Sequence, residues 1–150
     1  EKGSWELAKR KEKKRDSILD GVPKALPSLT KARRIQEKAS GAGFDWDKVD
    51  PVYDKLYEEI DELNVAIKEN NQENIEEELG DVLFSIVNLS RHININPEVA
   101  LDKSILKFIN RFHKLENYIK NKKIDLKEQS LSDLDKLWDQ IKLNEKSSLK

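Results

Sequence analysis

An all-α helical bundle is the fold class that this 150-residue sequence predicts. Three observations carry it. Only five Gly and four Pro occur, about half the usual share, whereas a sandwich or barrel needs a turn every 8–12 residues or so. Apolar residues recur at helical rather than alternating spacing. Asp50-Pro51 and Asn96-Pro97 each set a capping side chain before a Pro suited to the first helical position. With 28 basic and 29 acidic side chains the chain is 38% charged, well above the roughly 25% of an average domain. It has no Cys, which excludes disulfide scaffolds, zinc–thiolate sites and thiol catalysis. No apolar run approaches the roughly 18–20 residues of a membrane span, and no signal-peptide core is visible. The expected location is the cytoplasm.

Five helices follow from the end signals. Ser28 is placed to cap a first helix over 28–40, which Gly41 closes. Asp50-Pro51 opens a second over 51–69, and Asn70-Asn71-Gln72 leaves room only for a tight turn into a third over 73–94. Asn96-Pro97 opens a fourth over 97–120, and Ser132 is placed to cap a fifth over 132–143. Lys9–Arg15 reads as a charged, partly helical part of a basic lead-in over 1–25. Residues 1–150 are read as one domain. Opening at Glu1 and lacking Met, the chain is expected to be a piece of a longer protein.

Charge is segregated along the chain. Residues 1–44 carry 12 basic and 6 acidic side chains, and residues 45–81 carry 14 acidic and 3 basic ones. Residues 103–123 reverse the sign, with 7 basic residues against Glu116 alone. An acidic middle and basic flanks suggest sites for a cation and for an anion.

On a helical wheel Val52, Leu56, Ile60, Leu63 and Ile67 form an apolar stripe, with Glu59 and Glu62 along one edge. Ile75, Leu79, Val82, Ile86, Leu89 and Ile93 form the equivalent stripe of the third helix, with Glu78 and Asp81 at the same offset. Both carboxylate pairings, Glu62 with Glu78 and Glu59 with Asp81, are centred on residue 70 in the turn. In an antiparallel hairpin four carboxylates therefore converge, and their repulsion is costly without a cation. One Glu-x-x-Glu on a Glu-rich helix is commonplace; two mirrored about a turn point to a metal. All-oxygen ligation suits Mg²⁺, Mn²⁺ or Ca²⁺, with Mg²⁺ favoured where phosphate completes the shell. A di-iron carboxylate bundle needs Glu-x-x-His, but Leu89 and Asn110 stand three residues before His92 and His113. Neither His is given a role.

In the fourth helix Lys103, Lys107, Arg111 and Lys114 form a cationic row. Leu101, Ile105, Phe108, Phe112, Leu115 and Ile119 occupy the far side and are expected to pack into the bundle. Such a row suits a polyphosphate, whose oxygens must be neutralised together. Nucleic acid is not expected beside so acidic a segment. Residues 82–93 are apolar over more than one stripe, because Leu83 and Val87 fall outside the main one. A homodimer or larger assembly is therefore expected.

The string Tyr57-Glu58-Glu59-Ile60-Asp61-Glu62, followed by Glu76-Glu77-Glu78-Leu79-Gly80-Asp81-Val82-Leu83-Phe84, resembles the signature of the MazG-type nucleoside triphosphate pyrophosphohydrolases. The likeness extends to Leu26-Pro27-Ser28-Leu29, Gly43-Phe44-Asp45-Trp46, Val87-Asn88-Leu89-Ser90-Arg91, Lys107-Phe108 and Arg111-Phe112. It runs from about Trp5 to about Lys142, and is most similar to the C-terminal, catalytic repeat of two-repeat members.

The resemblance implies an all-α, oligomeric enzyme that uses Mg²⁺, with Mn²⁺ as a substitute, to cleave nucleoside triphosphates to monophosphate and pyrophosphate. By position it implies Glu59, Glu62, Glu78 and Asp81 as metal ligands, and Lys55 and Glu58 beside the nucleotide. It implies Lys107 and Arg111 as phosphate contacts, and Trp138 and Lys142 as nucleotide contacts. Asn74 stands where the family pattern would place a Lys, in line with Lys55 and the carboxylates on the wheel. Glu58 and Glu59 are the candidates to orient or deprotonate the attacking water. The alternative is a catalytically silent nucleotide-binding or helical interaction module that kept the fold.

Overall fold

The computed structural model describes residues 16–148; the stretch Lys9–Arg15 and Trp5 lie outside them. Among the described residues there are five α-helices and no strand. They are α1 (Ser28–Gly41), α2 (Asp50–Glu69), α3 (Gln72–His92), α4 (Pro97–Asn121) and α5 (Leu131–Ser148), with a 3-10 turn at Leu126–Glu128. Each predicted helix is present. Within the expected lead-in, residues 16–25 contain turns and no helix. None of the described helices is long and apolar enough to cross a membrane.

Helix ends show which signals act. Asn96 caps α4 as expected, its Oδ1 accepting from the N–H of Glu98 at 3.0 Å. Asp50 does not cap α2. Helical conformation already starts at Val49 (φ −75°, ψ −26°), whose carbonyl accepts from the N–H groups of Val52 and Tyr53, so Asp50 falls inside the first turn. Ser28 is likewise the first residue of α1, after Pro27, and makes no cap bond. Ser130 rather than Ser132 caps α5, its Oγ accepting from Asp133 N–H at 3.0 Å. With no Gly or Pro after Ser132, α5 runs to Ser148, five residues past the expected end.

The chain divides into two compact units, Glu1–Ala100 and Leu101–Lys150. In the first, α3 packs along α2 and also against α1. Gln36 reaches from α1 to donate to the Phe84 carbonyl at 3.0 Å. The buried face of α2 is Val52, Glu59 and Ala66, and that of α3 is Val82, Ser85, Val87 and Ser90. The predicted stripes are therefore rotated. Ile60 and Ile67 of α2, Leu79 and Ile86 of α3, and Ile93 just past its end are exposed. The small side chains Ala66, Ser85 and Ser90 let the helices approach, and the bulkier Ile and Leu turn outward. Val87 is covered within the chain, while Leu83 stays exposed.

In the second unit the core is Leu115, Ile119 and Ile141, with Phe112, Leu126, Leu134, Leu137 and Trp138 against it. Leu101, Ile105 and Phe108 remain exposed, contrary to expectation, although the Phe108 ring meets Trp138 of α5.

Candidate active site

The turn between α2 and α3 sets the register of the first constellation. Asn70 ends α2 in the left-handed conformation (φ 55°), and Asn71 Oδ1 accepts from the N–H groups of Glu73 and Asn74. Asn tolerates both jobs because its short amide bonds to nearby backbone. The chain therefore reverses over two residues.

This reversal brings Glu59, Glu78 and Asp81 together, each offering an oxygen within 4.8 Å of the others. Glu59 is not at the edge of the packed face but in its middle, at 6% exposure. Glu62 belongs to the same cluster electrostatically. The charge of Glu59 chiefly, then lost hydration and the charge of Glu78, push its carboxyl pKa up. Lys55 Nζ lies 3.0 Å from Glu59 Oε1 and 3.6 Å from Glu58 Oε2, and that contact with Glu59 raises the ammonium pKa. One ammonium does not balance the cluster. Among the described residues the Oε2 atoms of both Glu59 and Glu78 are buried without a hydrogen-bond partner, a costly state for carboxylate oxygens. A hard divalent cation is the group these hard oxygen donors fit. Glu58, Glu62, Asn74 and Glu78 also line one groove of about 340 Å³ beside the turn.

The second unit holds the cationic residues. Lys107, Arg111 and Trp138 line one groove of about 520 Å³, together with Phe108. The Phe108 and Trp138 rings stand 5.3 Å apart. Lys142 is exposed and outside that lining. Arg111 donates from Nε to Glu145 Oε2 at 3.0 Å, and its Nη2 lies 3.0 Å from the same oxygen. Lys114 Nζ adds a contact of 3.3 Å to Glu145 Oε1. The Arg111 guanidinium, and after it Lys114, hold the Glu145 carboxyl below the usual range.

Two features escaped the sequence. Glu145 lies beyond the helix end expected at residue 143, though the lack of any Gly or Pro after Trp138 was a usable signal. The other is a clamp on Asp45, in the loop after α1. Its carboxylate accepts from Arg91 Nη1 and Nη2 at 2.7 and 2.8 Å, from Ser40 Oγ at 2.7 Å and from Trp46 N–H at 2.8 Å. His92 Nε2 lies 2.9 Å away, which gives that residue the structural role it lacked. Arg91 above all holds the Asp45 carboxyl well below the usual carboxylate range, against the opposing effect of burial. No spacing rule joins Asp45 to Arg91; the pair was visible only as two strings of the family resemblance.

Residues 50–116 match the model of a family described as the MazG nucleotide pyrophosphohydrolase domain. Over 146 residues the chain is 38% identical to a nucleoside triphosphate pyrophosphohydrolase of Escherichia coli K12, covering 94% of this chain and 56% of that protein. It is 44% identical over 140 residues to the nucleoside triphosphate pyrophosphohydrolase/pyrophosphatase MazG of Thermotoga maritima, covering 92% and 54%. It is 41% identical over 148 residues to the uncharacterized protein YabN of Bacillus subtilis, covering 97% and 30%. The chain thus spans about half the length of the first two relatives.

Proposed function

Because the chain carries a domain of the MazG family, we propose that it is an Mg²⁺-dependent hydrolase that cleaves nucleoside triphosphates to the monophosphate and pyrophosphate. The single observation that supports this most is the convergence of Glu59, Glu78 and Asp81 with two buried, unpartnered carboxylate oxygens. Glu59, Glu62, Glu78 and Asp81 hold the metal, with Mn²⁺ able to substitute. When bound, Mg²⁺ supplies positive charge to the polyphosphate and acidity to the attacking water.

The remaining work falls to side chains. Glu58 is exposed in the groove and stands outside the close triad, so it is the better placed of the two candidates to orient water and take its proton; Glu59 is buried in the cluster, and Lys55 sits closer to it, at 3.0 Å, than to Glu58, at 3.6 Å. Lys55 and Asn74 contact the nucleotide near the carboxylates. Lys107 and Arg111 bind phosphates and stabilise the departing pyrophosphate, and Trp138 and Lys142 contact the nucleotide. The sequence contains no Gly-x-x-x-x-Gly-Lys-Ser/Thr loop that would grip β- and γ-phosphates for terminal cleavage. The enzyme works as a homodimer or larger assembly in the cytoplasm. Leu79, Leu83, Phe84 and Ile86 on α3, and Leu101, Ile105 and Leu106 on α4, are exposed and support such an assembly.

The test is incubation with ATP or dCTP in Mg²⁺ and separation of products by anion exchange. Monophosphate and pyrophosphate are expected, and light scattering at micromolar concentration should give at least the dimer mass. Diphosphate with free orthophosphate would sink the cleavage assignment. Nucleotide binding without turnover would favour the silent module.

A further inference from the structure

Arg111 and Lys114 of α4 both converge on Glu145 of α5. An exposed polyphosphate-binding helix has no electrostatic use for a carboxylate, since the negative charge weakens anion binding. Its presence needs another reason, and the geometry supplies one. A guanidinium offers five N–H donors in a rigid plane. Glu145 engages one edge of that plane, through Nε and Nη2, and leaves Nη1 outside the fork. A long side chain that would otherwise sample many rotamers is thereby fixed before any ligand arrives. Both partners are half-buried, with side-chain exposures of 19% and 28%, so water competes for the bond only in part.

We infer that Glu145 is a positioning residue for phosphate recognition: it orients the Arg111 guanidinium in the groove lined by Lys107, Phe108 and Trp138, so that the free Nη1 edge donates to oxygens of a polyphosphate. The inference rests on the proposed role of Arg111 in binding phosphate. It assigns Glu145 no contact with substrate. Preorganisation explains why a site for anions keeps an anion of its own: the orientation gained outweighs the repulsion added.

The sign of the effect separates this from the alternatives. Inhibition of triphosphate hydrolysis in Mg²⁺ is measured with pyrophosphate and with a nucleoside monophosphate as inhibitors. Glu145→Ala should weaken pyrophosphate inhibition roughly tenfold and leave monophosphate inhibition within about twofold, because only the polyphosphate end meets Arg111. Glu145→Gln, which keeps one accepting oxygen and the side-chain shape, should fall between, and covers the case in which the Ala variant folds poorly. Tighter pyrophosphate inhibition would show Glu145 to be a mere competing charge and overturn the inference. Equal weakening of both inhibitors would reduce it to a structural staple, which also overturns it. Arg111→Ala separates the underlying premise: if it leaves pyrophosphate inhibition unchanged, the phosphate role of Arg111 itself is wrong. If it weakens inhibition while neither Glu145 variant does, only the positioning role fails.

Discussion

The middle of the α2–α3 hairpin and the α4–α5 pair treat negative charge in opposite ways. In the hairpin Glu59, Glu62, Glu78 and Asp81 meet with Lys55 as the one close cation among the described residues, where two of their oxygens are buried without partners. In the second unit a single carboxylate, Glu145, takes contacts from both Arg111 and Lys114. One place is short of positive charge and the other is supplied with it. The contrast separates carboxylates left in mutual repulsion from a carboxylate already paired. Carboxylates that repel raise each other's pKa, as at Glu62, whereas a carboxylate held by a guanidinium has it lowered, as at Glu145.

The largest effect should come from neutralising the hairpin. Glu59→Gln, Glu78→Gln and Asp81→Asn should each lower turnover in Mg²⁺ by about 100-fold or more, and a chelator should abolish it. Near wild-type turnover in two of these variants would end the contrast. Next in size is Asp45→Asn, which leaves Arg91 and His92 without their shared carboxylate. It should cost roughly 2–4 kcal/mol, read from urea melts, since a partly buried charge network loses its centre. The Asp45 contribution is present above the ordinary carboxyl pKa and is lost only as pH falls toward the depressed one. Arg111→Ala should follow, weakening pyrophosphate inhibition roughly tenfold.

The smallest effects are the most diagnostic, because they have opposite signs. Glu62→Gln should raise the melting temperature of the metal-free protein at neutral pH. Its raised pKa means that ionisation costs stability as pH rises through that value, so the gain should vanish in acid, below the ordinary value of 4.5. Glu145→Gln should lower the melting temperature at neutral pH. Its lowered pKa makes ionised Glu145 stabilising above 4.5, and that stabilisation fades as pH falls through the depressed value. Thermal melts across pH 3–8 or so, without metal, would show whether the two curves cross.

Much of this was legible in the sequence, for identifiable reasons. The mirrored spacing of Glu59, Glu62, Glu78 and Asp81 about residue 70 needs only a helical repeat and a tight turn, and three of the four meet as that arithmetic requires. Asn70-Asn71 announced the turn through residue chemistry alone. The packed face was less legible. A wheel ranks residues by hydrophobicity, whereas close helix packing selects by size, so Ala66 and Ser85 went in and Ile60 and Ile86 stayed out. Phe108 stayed largely exposed although it meets Trp138, because how far the returning α5 covers α4 is encoded in no local pattern. The Asp45 clamp was illegible for the same reason: 46 residues separate its partners.

The two-residue connection at Asn70 and Asn71 also changes how the chain tolerates insertion and deletion. Exposed turns usually accept an extra residue at little cost. A residue added here and taken up as helix before Glu78 would shift the side chains that follow by about 1.5 Å along the axis and rotate them by about 100° against α2. Glu78 and Asp81 would leave the cluster while every acidic side chain survived unaltered. The convergence of these carboxylates is thus encoded partly in a length, and a lineage that kept all four but shifted that register would lose the cluster.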